Sequence, residues 1–280
     1  DTIFGYSPIV AGRFAGFGNQ AFSLFSLSAL ILASAYVDVR EGRPGRWATP
    51  TFLAVGAFFV VTVVLDGHPS FGSDVGGVLA FVPAAAVFVL LSNGIRIGVR
   101  TAALIAAATV AILSLFALAD LARPAESRTH LGRFVARLAD GQAGEILTRK
   151  IEANLSLLTA VWTWIIPIAL VYIAYLTWRP NQTLAAVGER YPQFRPFGVA
   201  ALTLGLLAMV FNDSGVSMPA MMLAVAISYV TYLVMDIERP RDTADSGAGG
   251  RDEEGGPLPE ATPAAGSEPS EGAGAVAEAT

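Results

Sequence analysis

The sequence contains no cysteine among its 280 residues. Disulfides, thiolate nucleophiles, thiolate metal sites and thiol redox chemistry are therefore excluded. Lysine is nearly missing as well: Lys150 is the one lysine among 18 basic residues, and there are two histidines. Charge of either sign is scarce at 15%, against about 25% in an ordinary soluble domain. Hydrophobic residues make up 54% and the mean hydropathy is +0.56, the make-up of a polytopic membrane protein. Position 1 is Asp1, and the first 20 residues lack the charged, apolar and small-residue segments of a signal peptide. The chain is expected to begin inside a longer protein. No Gly-rich phosphate loop follows a strand pattern, no nucleophile–base pair is evident, and basic residues do not interleave with aromatics. Soluble-enzyme and nucleic-acid-binding templates do not apply, and no cofactor is expected.

The net charge of −5 is unevenly placed. Residues 241–280 hold nine acids and two arginines, which leaves +2 on residues 1–240. That last stretch, RDTADSGAGGRDEEGGPLPEATPAAGSEPSEGAGAVAEAT, is made of Gly, Pro, Ala, Ser and Glu with almost no large apolar side chains. Burial there cannot offset the entropy of ordering. The chain is thus expected to divide into a transmembrane helical domain at 1–240 and a disordered acidic tail at 241–280.

Uncharged apolar runs occur at 21–37, 51–65, 75–91, 101–119, 155–178, 197–211 and 216–235. They predict an all-α membrane protein, a bundle of about seven transmembrane helices. Short cytoplasmic loops carry the excess of arginine and lysine. Arg40, Arg43 and Arg46 follow the first run, Arg96 and Arg100 the third, Arg179, Arg190 and Arg195 the fifth, and Arg239 and Arg241 the seventh. The alternating loops DGHPSFGSD and NDSG have no basic residue. In a plasma membrane this sets the N-terminus outside and the C-terminus in the cytoplasm. Against it stands the loop at 120–154, with Arg123, Arg128, Arg133, Arg137, Arg149 and Lys150, although that loop is longer and holds five acids too. Within it, HLGRFVARLAD repeats Leu131, Phe134, Val135 and Leu138 at i, i+3, i+4 and i+7. This predicts an amphipathic helix between spans 4 and 5, lying among lipid headgroups or capping the bundle.

One stretch differs sharply from its surroundings: Asn212, Asp213, Ser214 and Gly215 interrupt an apolar run that extends from 197 to 235. As one straight helix that run would extend roughly 58 Å, about twice the ~30 Å hydrocarbon layer, so it has to break. An aspartate at mid-span costs roughly 2.5–3.5 kcal/mol, which favours a turn at the carboxylate. The predicted topology gathers this break with the other polar segments on the outer face, each preceding a helix N-terminus with its unpaired N–H groups. Arg13, Asn19, Gln20, Asp66, His68, Asp74, Arg149, Lys150, Asn154, Asn212, Asp213 and Ser214 are the candidate residues of an anion-binding site there. Arg13 is the expected partner of Asp213.

Plainer roles compete for the same residues. Asp74, Asp213 or Ser214, and Asn19 are suited to cap helices. Gly76, Gly77 and Gly215 suit tight turns or close helix packing, and His68 suits a solvated loop. Pro83 and Pro167 are expected to kink their spans, and Trp162, Trp164 and Trp178 to sit at membrane interfaces. Asp66, His68, Asp74 and Asp213 lack the tight spacing of a divalent-metal site, so no metal is expected.

Taken together, GYSPIVAGRFAGFGNQAF, GSDVGGVLA, RKIEANLSLL and NDSGVSMPA resemble segments of a group of uncharacterised bacterial polytopic membrane proteins. In that group a similar hydrophobic C-terminal half follows an extracytoplasmic domain resembling the alkaline phosphatase and sulfatase fold. The likeness covers roughly residues 3–235. It departs at Ala15, where the group often has an aromatic, and at Gln20, where it often has Glu, so no acid–base role is carried over to position 20. The resemblance implies an envelope-facing membrane module, partner of a phosphatase-like domain in the same longer chain, and supplies no mechanism; the favoured expectation is a module that binds an anionic lipid or lipid-linked envelope substrate at the outer face. A transporter or flippase with a broken-helix site at spans 6 and 7 is the alternative, and a structural anchor the second.

Overall fold

The computed structural model describes residues 18–42, 45–124, 148, 152, 161–212 and 214–239. All regular structure among them is helical. The α-helices are α1 (Asn19–Glu41), α2 (Thr49–Gly67), α3 (Val75–Ser92), α4 (Val99–Leu121), α5 (Ile165–Trp178), α6 (Gln182–Arg190), α7 (Phe194–Phe211) and α8 (Ser217–Glu238). Six of these, all but α5 and α6, are long and apolar enough to cross a membrane, so the chain has the character of a multi-pass helical membrane protein. The run expected at 155–178 contributes α5, only 14 residues long, preceded by a 3-10 turn at Val161–Trp164. Residues 153–160 lie outside the described residues, as do the expected amphipathic helix at 130–140 and the expected acidic tail at 241–280.

Proline marks where several helices begin. Pro50 is the second residue of α2, and Pro167, Pro196 and Pro219 are the third residues of α5, α7 and α8. A first-turn N–H has no partner within the helix, so proline costs nothing there. Pro167, expected inside a span, is therefore part of a helix start. Pro83 does lie inside α3, which continues through it.

Lipid tails are as apolar as leucine, so the bundle is held by close packing and hydrogen bonds in place of the hydrophobic effect. Helix α3 is the centre. It packs most extensively on α7 and also against α1, α2 and α4. Ala80 and Ala84 on α3 and Ala200 and Ala208 on α7 are fully buried, small enough to let two backbones approach. Phe59 of α2 meets Phe81 and Phe88 of α3 edge-on, at 5.7 and 6.1 Å between ring centroids. Helix α8 packs mainly on α1, and α6 lies against α8 and α7.

Candidate functional site

At one end of the bundle the start of α1, the end of α2, the start of α3, the end of α4 and the turn between α7 and α8 come together. Two glycines make this convergence possible. A Cβ at Gly76 would collide with the Asn212 side chain, and one at Gly77 with the Asp66 carboxylate and the Phe22 ring. Asn212 from α7 and Asp66 from α2 thus rest directly on the first turn of α3. The expected close-packing role of Gly76 and Gly77 is what the structure shows.

The loop from His68 to Asp74 folds back over the end of α2. Gly72 N–H donates to Leu65 O at 2.8 Å and Asp74 N–H to Asp66 O at 3.0 Å, while Ser73, at φ 52°, donates its hydroxyl to Pro69 O. This returns Asp74 to the top of α3, where its Oδ1 accepts the Gly77 N–H at 3.0 Å. The capping role expected of Asp74 is therefore present. Arg123, just past α4, donates to Pro69 O at 3.2 Å and lies 3.6 Å from Asp120 Oδ1, fastening α4 to the same loop. His68 packs its ring against Phe71 and Phe116 and accepts the Ser70 N–H at Nδ1. It is a half-buried part of the loop's framework.

Asp66, Asp74 and Asp120 are 1%, 2% and 0% exposed, and all three are engaged in further interactions. So much buried charge must be compensated by cations and donors. Asn212 is buried too, and its Nδ2 has no hydrogen-bond partner among the described residues. Asn19 Nδ2 donates to Ser214 Oγ, tying α1 to the α7–α8 turn. Asn19 is thus a cross-link: the residue before α1 is Gly18, with no side-chain cap. Nor does Ser214 cap α8, whose N-cap is Val216 without a side-chain bond. Of the expected site residues, Asn19, Asp66, His68, Asp74, Asn212 and Ser214 share this end of the bundle. Gln20 is exposed on α1. Arg13, Arg149, Lys150, Asn154 and Asp213 lie outside the described residues, and with them the expected Arg13–Asp213 pair. Asp120 and Arg123 belong here without having been expected. The signal was available as an aspartate ending an apolar run, three residues before an arginine.

The opposite end carries a second polar cluster that sequence reading passed over. Gln193 is fully buried between α6 and α7; its backbone N–H donates to Asp38 Oδ1 of α1 at 2.9 Å. Its side-chain amide has no hydrogen-bond partner among the described residues. Tyr191 donates its hydroxyl to Asp236 of α8, and the Arg190 guanidinium sits 5.2 Å above its ring. Burial, then the Asp236 carboxylate, push the Tyr191 phenol up to about 12.

Among the described residues no group of three or more His, Cys, Asp or Glu side chains is arranged to hold a metal ion. Comparison with known proteins finds no matching family model, no matching curated protein and no matching solved structure.

Proposed function

We propose that the chain is the membrane module of a bacterial envelope protein, and that the Asp66–Asp74–Asn212 end binds the anionic, phosphate-bearing head of a lipid or lipid-linked substrate. In this reading the chain crosses the plasma membrane seven times, with 155–178 as the fifth span. Its N-terminus faces outside, its tail faces the cytoplasm, and an extracytoplasmic phosphatase-like domain acts on what it holds. One observation carries the proposal: three deeply buried carboxylates from α2, α3 and α4 converge with the Asn212 amide. Ionisable groups at membrane depth are costly and mark function.

Acids suit an anion site when they hold the cations that meet the anion. Arg13, Arg149 and Lys150 are the bases that the arginine distribution puts on this face. A guanidinium offers five N–H donors and an ammonium three, so one held by a carboxylate keeps donors for a phosphate. Asn212 Nδ2 adds another. Helices α7 and α8 are each long enough to cross alone, so the break at 212–216 separates two complete helices, which favours this reading over a broken-helix transporter.

The test is titration of the detergent-purified chain with a polyprenyl phosphate. Arg149→Gln and Asn212→Leu should each weaken binding at least tenfold. Asn212→Leu should leave the melting temperature unchanged or higher, because it removes a buried Nδ2 donor that has no partner among the described residues. Equal binding by wild type and both variants refutes the site. For orientation, the chain's lack of native cysteine allows clean labelling: Ser70→Cys should react from outside intact cells and Ser246→Cys only after permeabilisation. An upstream phosphatase-like domain in the open reading frame supports the partner assignment, and its absence returns the transporter.

A further inference from the structure

Away from the Asp66 end, α5, α7 and α8 enclose a groove of about 840 Å³, within the ~300–1,000 Å³ range of small-molecule sites. Its walls are apolar, with Ile173 from α5, Ala201 from α7 and Met222 and Ile227 from α8. It follows α7 from Arg195 to Gly205 and α8 from Thr231 back to Pro219. At ~1.5 Å per residue these stretches are roughly 15–18 Å long, about half the ~30 Å hydrocarbon layer. The groove is one leaflet deep.

Its two ends differ. At Pro219 and Leu170 it closes on apolar side chains. At the other end it opens on Asn181, Thr183, Glu189 and Arg195. There α6 packs its fully buried Val187 inward, with Arg179 and Arg190 at either side of it. Arg195 lines this mouth together with Glu189, while the Arg190 guanidinium belongs to the Tyr191 cluster. Asn181 spends its Oδ1 capping α6, accepting the Leu184 N–H at 2.9 Å, which leaves its amide N–H groups to face outward as donors. Arginine, amide and hydroxyl at the mouth of a one-leaflet apolar slot match a phosphodiester above an acyl chain.

We infer that this groove is a retained binding site for one anionic glycerophospholipid of the leaflet at the arginine-bearing end, its acyl chain between α5, α7 and α8 and its phosphate at Arg195. The site is separate from the polar end formed by Asp66, Asp74 and Asn212, so each stands or falls alone.

The experiment reconstitutes the full chain into nanodiscs of phosphatidylglycerol and phosphatidylcholine at equal content, strips bulk lipid with mild detergent, and counts retained lipid by native mass spectrometry. Wild type should retain one phosphatidylglycerol in preference to phosphatidylcholine by at least tenfold. Arg195→Gln should lose that preference while still retaining a lipid. Ala201→Trp, which fills the slot, should retain neither, and the smaller Ala201→Met should weaken retention in a protein of unaltered melting temperature if the tryptophan variant folds poorly. No retained lipid in wild type, or an unchanged preference in Arg195→Gln, overturns the inference. So does a switch from dimer to monomer in Ala201→Trp, which would make the groove a helix-docking surface between copies.

Discussion

The two polar ends of the bundle use similar residues to different effect. At the Asp66 end, the Asp66 carboxylate and the Asn212 amide rest directly on Gly77 and Gly76 of α3, and three buried acids belong to the same end of the bundle. At the Asp38 end, Asp38 and Asp236 sit about one turn inside their helices, only half-buried. Each is occupied by one neighbour, the Gln193 N–H or the Tyr191 hydroxyl. The first arrangement concentrates charge, whereas the second spends it on single bonds between distant helices. The second is an ordinary latch, one hydrogen bond between two elements.

The largest effect should come from breaking the glycine contacts. Gly77→Val places a side chain into Asp66 and Phe22 and should destabilise by roughly 3 kcal/mol, the upper part of the usual overpacking range, or block insertion. Melting of the detergent-solubilised protein measures it. At the latch end, Asp38→Ala strands the buried Gln193 N–H and should cost about 1–3 kcal/mol, whereas Asp38→Asn keeps an acceptor and should cost less. Equal losses from the two would mean that charge, not the hydrogen bond, matters at Asp38.

Tyr191→Phe removes one hydrogen bond and should cost about 0.5–1.5 kcal/mol at neutral pH. The variant also carries a pH signature. The folded-state phenol titrates near 12 against 10 for an ordinary tyrosine, so the contribution is complete below pH 10 and fades as pH rises toward 12. Wild type should therefore lose stability relative to Tyr191→Phe across that window, and equal alkaline profiles would contradict the Asp236 contact. The smallest change is Gly188→Ala in α6, where an added Cβ meets nothing within 4 Å. It should stabilise by roughly 0.5–1 kcal/mol through helix propensity, the opposite sign to Gly77→Val.

What the sequence made legible follows from which interactions are local. Apolar runs revealed the crossing helices because length and composition alone decide them. Asp74 could be read as a cap because it bonds three residues ahead, and the 212–215 break because no bilayer holds so long a helix. Asn19 is suited by type to cap a helix but bonds Ser214 in the α7–α8 turn instead, a partner that local sequence does not reveal. Asp38 and Gln193 were not singled out for the same reason: periodicity has no access to a bond across 155 positions. Arg123 counted against the predicted topology when treated as loop charge, yet its pairing with Asp120 and the Pro69 carbonyl makes it part of a helix end. Helix α6 was hidden inside a loop valued only for its arginines.

The bond between Asn19 and Ser214 joins positions 195 residues apart. At ~5–20 residues per second, a ribosome needs roughly 10–40 s to deliver the second partner after the first. Once Asp66 and Asp74 have been made, roughly 7–28 s still pass at that rate before Asn212 follows. The polar end therefore matures last, and a nascent chain stalled before α7 presents its carboxylates without the helix that closes over them.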